Sequence, residues 1–85
     1  GGTVLPGVDR LTEVVLTADS ALLRRTLRDS DFRGRYDAAV VALRRGGERL
    51  SGGLGDIRLA AGDSLMLVTG PDFETRSASA GDFLV

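Results

Sequence analysis

Two adjacent glycines, Gly46-Gly47, stand between the apolar run Ala38 to Arg44 and the short arm Glu48-Arg49-Leu50. Both accept positive φ without strain, so the pair predicts a two-residue β-hairpin turn. Such a turn sets the register of its arms. It places Arg45 opposite Glu48 and Leu43 opposite Leu50, an ion pair followed by an apolar pair. The run Ala38 to Arg44 is apolar on both faces, the pattern of a strand inside a sheet. An antiparallel sheet is therefore the frame on which the rest of the chain must be placed.

Leu11 to Thr17 is β-branched and partly alternating, and reads as a first strand. Asp19 or Ser20 offers an N-cap for a helix over Ala21 to Arg28, with Leu22, Leu23, Thr26 and Leu27 on its inner face. Asp29-Ser30-Asp31 ends or re-caps that helix, and Phe32 to Tyr36 forms a further turn. After the hairpin, Ser51 to Asp56 reads as a flexible loop and Ile57 to Leu59 as a strand fragment. Ala60 to Asp63 is a turn, Ser64 to Thr69 a buried strand, and Gly70-Pro71-Asp72 its break. Residues 72–81 are polar, and Asp82 to Val85 closes with an apolar edge strand. The fold class is α+β: a small, mostly antiparallel sheet with one short helical segment after the first strand. Residues 1–10 are a loose lead-in, and 11–85 the domain.

With 85 residues there is room for one small domain. The chain has no Cys and no His, which removes disulfides, thiol nucleophiles, the usual metal ligands and the usual neutral-pH base. Its eleven basic residues are all Arg, so Schiff-base lysines and a Walker lysine are excluded as well. A net charge of −1 gives no electrostatic case for a nucleic-acid polymer. Six serines lack a base to activate them and read as caps and turns. The chain reads as a non-enzyme, with no catalytic residues, no metal and no cofactor. Gly52-Gly53-Leu54-Gly55 fails the G-x-G-x-x-G spacing because Arg58 stands at the third glycine position. The longest apolar run, Ala38 to Leu43, is far below the roughly 20 residues of a spanning helix. Met66 is the sole methionine, so the expectation is a domain cut from a longer protein.

One cluster carries binding chemistry. Arg33, Arg35 and Tyr36, at the end of a helical segment, offer two guanidiniums to clamp a phosphate or carboxylate and a phenol to stack a base. The alternative is a solvated basic turn paired with Asp29, Asp31 and Asp37.

Taken in order, Leu11-Thr12-Glu13-Val14-Val15-Leu16, Ser20, Thr26-Leu27-Arg28 and Phe32-Arg33-x-Arg35-Tyr36 resemble the opening of TrkA-C domains, the C-terminal subdomain of regulators of K+ conductance. Val40-Val41-Ala42-Leu43-Arg44-Arg45-Gly46-Gly47-Glu48 and Leu59-x-x-Gly62-Asp63-x-Leu65-x-Leu67-x-x-Gly70 continue the resemblance, which covers residues 11–70. It departs at Asp37, where the family commonly has glycine, and at Arg24-Arg25, where Gly-Lys is usual. Arg44-Arg45 before the hairpin is most similar to the versions in cytoplasmic loops of sodium-coupled citrate, dicarboxylate or sulfate permeases, often present in tandem.

The resemblance implies a soluble domain at the cytoplasmic face of the membrane, sensing a ligand and dimerising to regulate a transporter. Its expected partners are a second copy or tandem copy, the parent's membrane domain, and a regulatory nucleotide or small anion; some members bind cyclic di-AMP in the dimer cleft. The matching surface spans Phe32 to Val40, and the candidate ligand-binding residues are Arg33, Arg35, Tyr36, Asp37 and Val40. Arg33 and Arg35 would hold anionic groups, Tyr36 would stack, and Val40 with Leu43 would support the strand behind. The alternative function is a purely structural dimerisation module with no small-molecule ligand.

Overall fold

Alternating burial assigns each strand one face toward a common core. The computed structural model describes residues 10–78 and 81–84, so most of the lead-in and Val85 of the closing strand lie outside the described residues. Five antiparallel strands, β1 (Arg10–Leu16), β2 (Ala38–Arg45), β3 (Glu48–Leu50), β4 (Ser64–Thr69) and β5 (Phe83–Leu84), form one sheet in the order β3-β2-β4-β1-β5. Leu65 and Leu67 on β4, Val14 and Leu16 on β1, and Leu43 on β2 are buried on one face. Against them pack Leu22, Leu59, Phe32, Tyr36 and Phe73. The opposite face carries Leu11, Glu13 and Val15, all exposed.

The hairpin forms in the expected register, with Arg45 opposite Glu48 and Leu43 opposite Leu50. Its glycines take φ of 56° and 84°, a conformation that disfavours any side chain with a Cβ. The expected Arg45–Glu48 ion pair does not form. Arg45 instead makes a two-pronged contact with Asp63, Nε to Oδ1 at 2.9 Å and Nη2 to Oδ2 at 2.6 Å. The reason is burial: the Asp63 side chain is only 3% exposed and needs a cation, whereas Glu48 is solvated.

The helix expected over Ala21 to Arg28 is also corrected. That segment is a series of turns in which Arg24 has φ 69°. Its backbone pairs with the Ile57 to Leu59 fragment, Arg24 N–H to Leu59 O at 2.8 Å and Leu59 N–H to Arg25 O at 2.9 Å. An eight-residue helix is marginal on its own, and tertiary pairing satisfies these groups while burying Leu22. Helix starts later, in α1 (Leu27–Ser30), capped by Thr26 Oγ1, which accepts from Asp29 N–H at 3.1 Å. Ser20 makes a local turn instead, its Oγ accepting from Leu22 N–H at 3.1 Å. Then follow α2 (Phe32–Tyr36), a 3-10 turn at Leu54–Asp56 inside the expected flexible loop, and α3 (Phe73–Ala78) in the segment read as merely polar. The architecture is α+β as expected, with three short α-helices among the described residues in place of one.

Candidate functional site

Helix α2 divides the Phe32-Arg33-x-Arg35-Tyr36 motif by its own geometry. Positions four apart share a face, so Phe32 and Tyr36 point together into the core, their ring centroids 4.7 Å apart. Phe83 of β5 closes an aromatic cluster, 5.1 Å from the Tyr36 ring and 5.9 Å from that of Phe73. Tyr36 is fully buried. Its O–H donates to the Asp82 carboxylate, whose other oxygen accepts from Ala21 N–H at 3.0 Å. Burial, then the bond to Asp82, pushes the phenol up to about 12. The stacking role expected for Tyr36 is therefore corrected: its ring has no free face, and the residue anchors α2 from beneath.

Arg33 and Arg35 are exposed, and among the described residues neither has a carboxylate within 4 Å. The expected pairing with Asp29, Asp31 and Asp37 is absent. Residues two apart on a helix diverge by about 200°, so the two guanidiniums do not form one clamp. Arg33 stands between two adjoining hollows. The larger, about 370 Å³, is lined by Arg33, Arg28 and the carboxylate residue Asp31 together with Leu27, Phe32, Val40 and Leu54. The smaller, about 110 Å³, is lined by Arg33 and Asp37 with Val68, Gly70 and Pro71; Ala38 and Ala39 border both. Arg35 lines neither. The structure thus brings Arg33 and Val40 together, sets Asp37 next door, and turns Arg35 and Tyr36 away.

Asp37 is held by backbone demands. It terminates α2 with φ 54°, the left-handed conformation that explains a family preference for glycine here and that Asp tolerates better than most side chains. Its carboxylate accepts from Asp72 N–H at 2.9 Å and packs against Gly70, where any Cβ would collide with it. The Gly70 N–H in turn donates to Asp37 O at 2.7 Å.

Sequence reasoning missed Leu27, Arg28 and Leu54 as lining residues: the expected helix over Ala21 to Arg28 turned Leu27 toward the core, and Leu54 fell in a segment read as a flexible loop. Arg28 lies at the cavity and pairs loosely with Asp56 at 3.4 Å. Gly55 gives its guanidinium room, since a Cβ there would come within 3.2 Å of Arg28 Nη2. Among the described residues no cluster of acidic side chains could hold a metal, and no helix is long and apolar enough to cross a membrane.

The cleft thus joins an apolar floor to two guanidiniums, Arg28 and Arg33, and one acidic residue, Asp31, beside a five-stranded sheet. The TrkA-C domain matches residues 11–73. The chain belongs to the TrkA-C domain family. It is 48% identical over 69 residues to a putative sulfur deprivation response regulator of Chlamydomonas reinhardtii, covering 80% of this chain and 12% of that protein. It is 42% identical over 65 residues to a probable sodium/sulfate cotransporter 3 of the same alga, covering 76% of this chain and 7% of that one. This TrkA-C chain thus spans a small fraction of these relatives' length. An RCK_C domain dimer of S. agalactiae BusR in complex with c-di-AMP has the same fold, with a TM-score of 0.73 at 19% identity over 88% of this chain and 93% of that one. The C domain of the potassium transport regulator KtrA, also in complex with c-di-AMP, gives a TM-score of 0.66 at 25% identity over 81% of this chain and 79% of that one. TrkA-C domains are not an enzyme family, and the similar proteins include a probable sodium/sulfate cotransporter as well as the potassium transport regulator.

Proposed function

We propose that this TrkA-C domain senses a small anionic ligand and, as a dimer, regulates a membrane transporter of the sodium-coupled anion class, the class of the sodium/sulfate cotransporters among its relatives. The observation that carries the reading is the cleft of about 370 Å³ in which Arg33 faces an apolar wall formed by Val40, Leu27 and Leu54. That size falls in the range of small-molecule sites, and an apolar floor with one or two cations at the rim suits a ring bearing a phosphate. Arg33 is the anchor. Arg28 is the second cation, since an exposed pair such as Arg28–Asp56 contributes only about 0–1 kcal/mol and yields easily to a better anion. Val40 shapes the wall, and Asp37 keeps α2 and the turn after β4 in place beside the site. Arg35 stands outside the cleft with its guanidinium at the Tyr36 hydroxyl, and Tyr36 holds the helix from below. The KtrA and BusR domains bound to c-di-AMP support a cyclic dinucleotide as the first probe.

A ligand acts on the transporter only through unequal affinity for two arrangements of the dimer. The test is a thermal-shift and calorimetry series with c-di-AMP, ATP, citrate and sulfate. Saturable stabilisation by one of them, lost in Arg33→Ala and retained in Arg35→Ala, is expected. No response to any anion favours the purely structural module, whose stability would follow protein concentration alone.

A further inference from the structure

We propose that the surface formed by residues 24–28 and 57–59 docks on an anionic lipid bilayer; the nearness of a membrane rests on the transporter reading above. The two segments run side by side. Arg24 N–H donates to Leu59 O at 2.8 Å, Leu59 N–H donates to Arg25 O at 2.9 Å, and Thr26 bridges to Arg58. Together they carry four arginines, Arg24, Arg25, Arg28 and Arg58, and no carboxylate. All four are exposed. Asp29 and Asp56 flank the segments, and of these only Asp56 reaches an arginine, Arg28, at 3.4 Å. The net charge of −1 is thus unevenly spread, with a local positive excess on this surface.

Arg24 shows that the excess has a use outside the chain. Its φ is 69°, the left-handed conformation in which glycine is unstrained and a long side chain is not. Its carbonyl accepts from Arg58 Nη1 at 2.8 Å, a bond that glycine would keep and that holds the Arg58 guanidinium beside it. The Arg24 side chain itself, like that of Arg25, has no hydrogen bond or ion pair among the described residues. The fold therefore tolerates strain for a guanidinium that contacts nothing within the domain.

Position and charge select the partner. Neither hollow beside Arg33 is lined by Arg24, Arg25 or Arg58, so these three lie apart from the anion cleft. Guanidiniums on an open surface match a broad field of phosphates, which they bind through paired N–H donors. Each arginine near an anionic leaflet adds to the attraction. For a domain held close to the membrane a weak attraction suffices, because its effective concentration at the surface is high.

Co-sedimentation with vesicles at low salt tests this, comparing phosphatidylcholine alone with equal parts phosphatidylcholine and phosphatidylglycerol. The chain should bind the mixed vesicles and not the neutral ones, and should be released as salt rises. Arg24→Gly and Arg25→Ala should each lower the vesicle partition coefficient roughly fivefold. Arg24→Gly should do so without lowering the melting temperature, since it relieves the strained φ, and this separates docking from folding. Arg28 stays intact because it also lines the cleft. Arg44→Ala combined with Arg49→Ala removes arginines from another surface and should leave partition unchanged; equal loss there reduces the effect to net charge and overturns the proposal. No binding to mixed vesicles also overturns it, while saturable stabilisation by an anion in the thermal-shift series would still uphold the reading above. Binding to polyglutamate in place of vesicles assigns the surface to an acidic protein segment. Displacement by glycerol phosphate at constant ionic strength assigns it to a free small anion. Either result overturns the bilayer.

Discussion

Tyr36 carries more of the structure than its place in the motif indicates. Its ring is packed by Phe32 and Phe83, and its hydroxyl meets a carboxylate 46 positions later in the chain. Tyr36→Phe keeps the rings together and removes the donor to Asp82, whose other oxygen still accepts from Ala21 N–H. The expected loss is about 1–3 kcal/mol, the usual consequence of stranding a buried polar group, measured by urea unfolding at neutral pH. The same variant has a pH signature. The phenol is raised from 10.0 to about 12, so its stabilising effect is full below pH 10 and is lost as pH rises toward 12. Wild type should therefore lose stability over that alkaline window more steeply than Tyr36→Phe. Parallel curves would mean that the buried hydroxyl is not the titrating group. At this scale the sequence showed Tyr36 as a residue of interest but not its direction, because Asp82 and Phe83 reach it only through the fold.

The hairpin and the turn before β4 work as one element. Arg45, at the end of β2, crosses to Asp63 and also donates to Arg58 O at 2.8 Å, while Ala60 N–H donates to Asp63 Oδ2 at 2.8 Å. Burial raises the Asp63 carboxyl, but the Arg45 hydrogen bonds, the Ala60 N–H and the Arg45 charge outweigh it and hold the group below its ordinary value. Stability from this group is present above the ordinary carboxylate range, about pH 4, and is lost as pH falls through the lowered value. Arg45→Met should destabilise by about 2 kcal/mol, less than breaking a fully buried pair because Arg45 is 43% exposed. It should also flatten the acid limb of the stability curve. An acid limb unchanged in Arg45→Met would assign the acid loss to other carboxylates. The hairpin register was legible from Gly46-Gly47, since a two-residue turn admits one pairing of its arms. Arg45's partner was not, since choosing Asp63 over Glu48 depends on which carboxylate the fold buries.

For the whole molecule, α2 and α3 pack their buried rings on one face of the sheet, and the other face is exposed along β1. β2 starts beside the cleft, which Ala38, Ala39 and Val40 border, and carries the exposed Arg44 and Arg45 at its other end. A dimerising domain gains stability by mass action, so the melting temperature of the wild-type chain should rise with protein concentration. A wild-type melting temperature independent of concentration would leave the domain monomeric in isolation.

The alternation in β1 and β4, the glycine pair and the ordered run of TrkA-C motifs determined the sheet and the family from residues 11–70. Those signals are local or nearly so, and a strand's period or a turn's φ survives in any context. Tertiary structure decided the rest. Leu59 drew the Ala21 to Arg28 segment out of a helix by offering backbone partners. Asp82 turned Tyr36 inward, and a single helical step separated Arg33, beside the cleft, from Arg35, outside it. Each of these outcomes depends on which groups are buried together, a property of the packed chain that no short window of sequence contains.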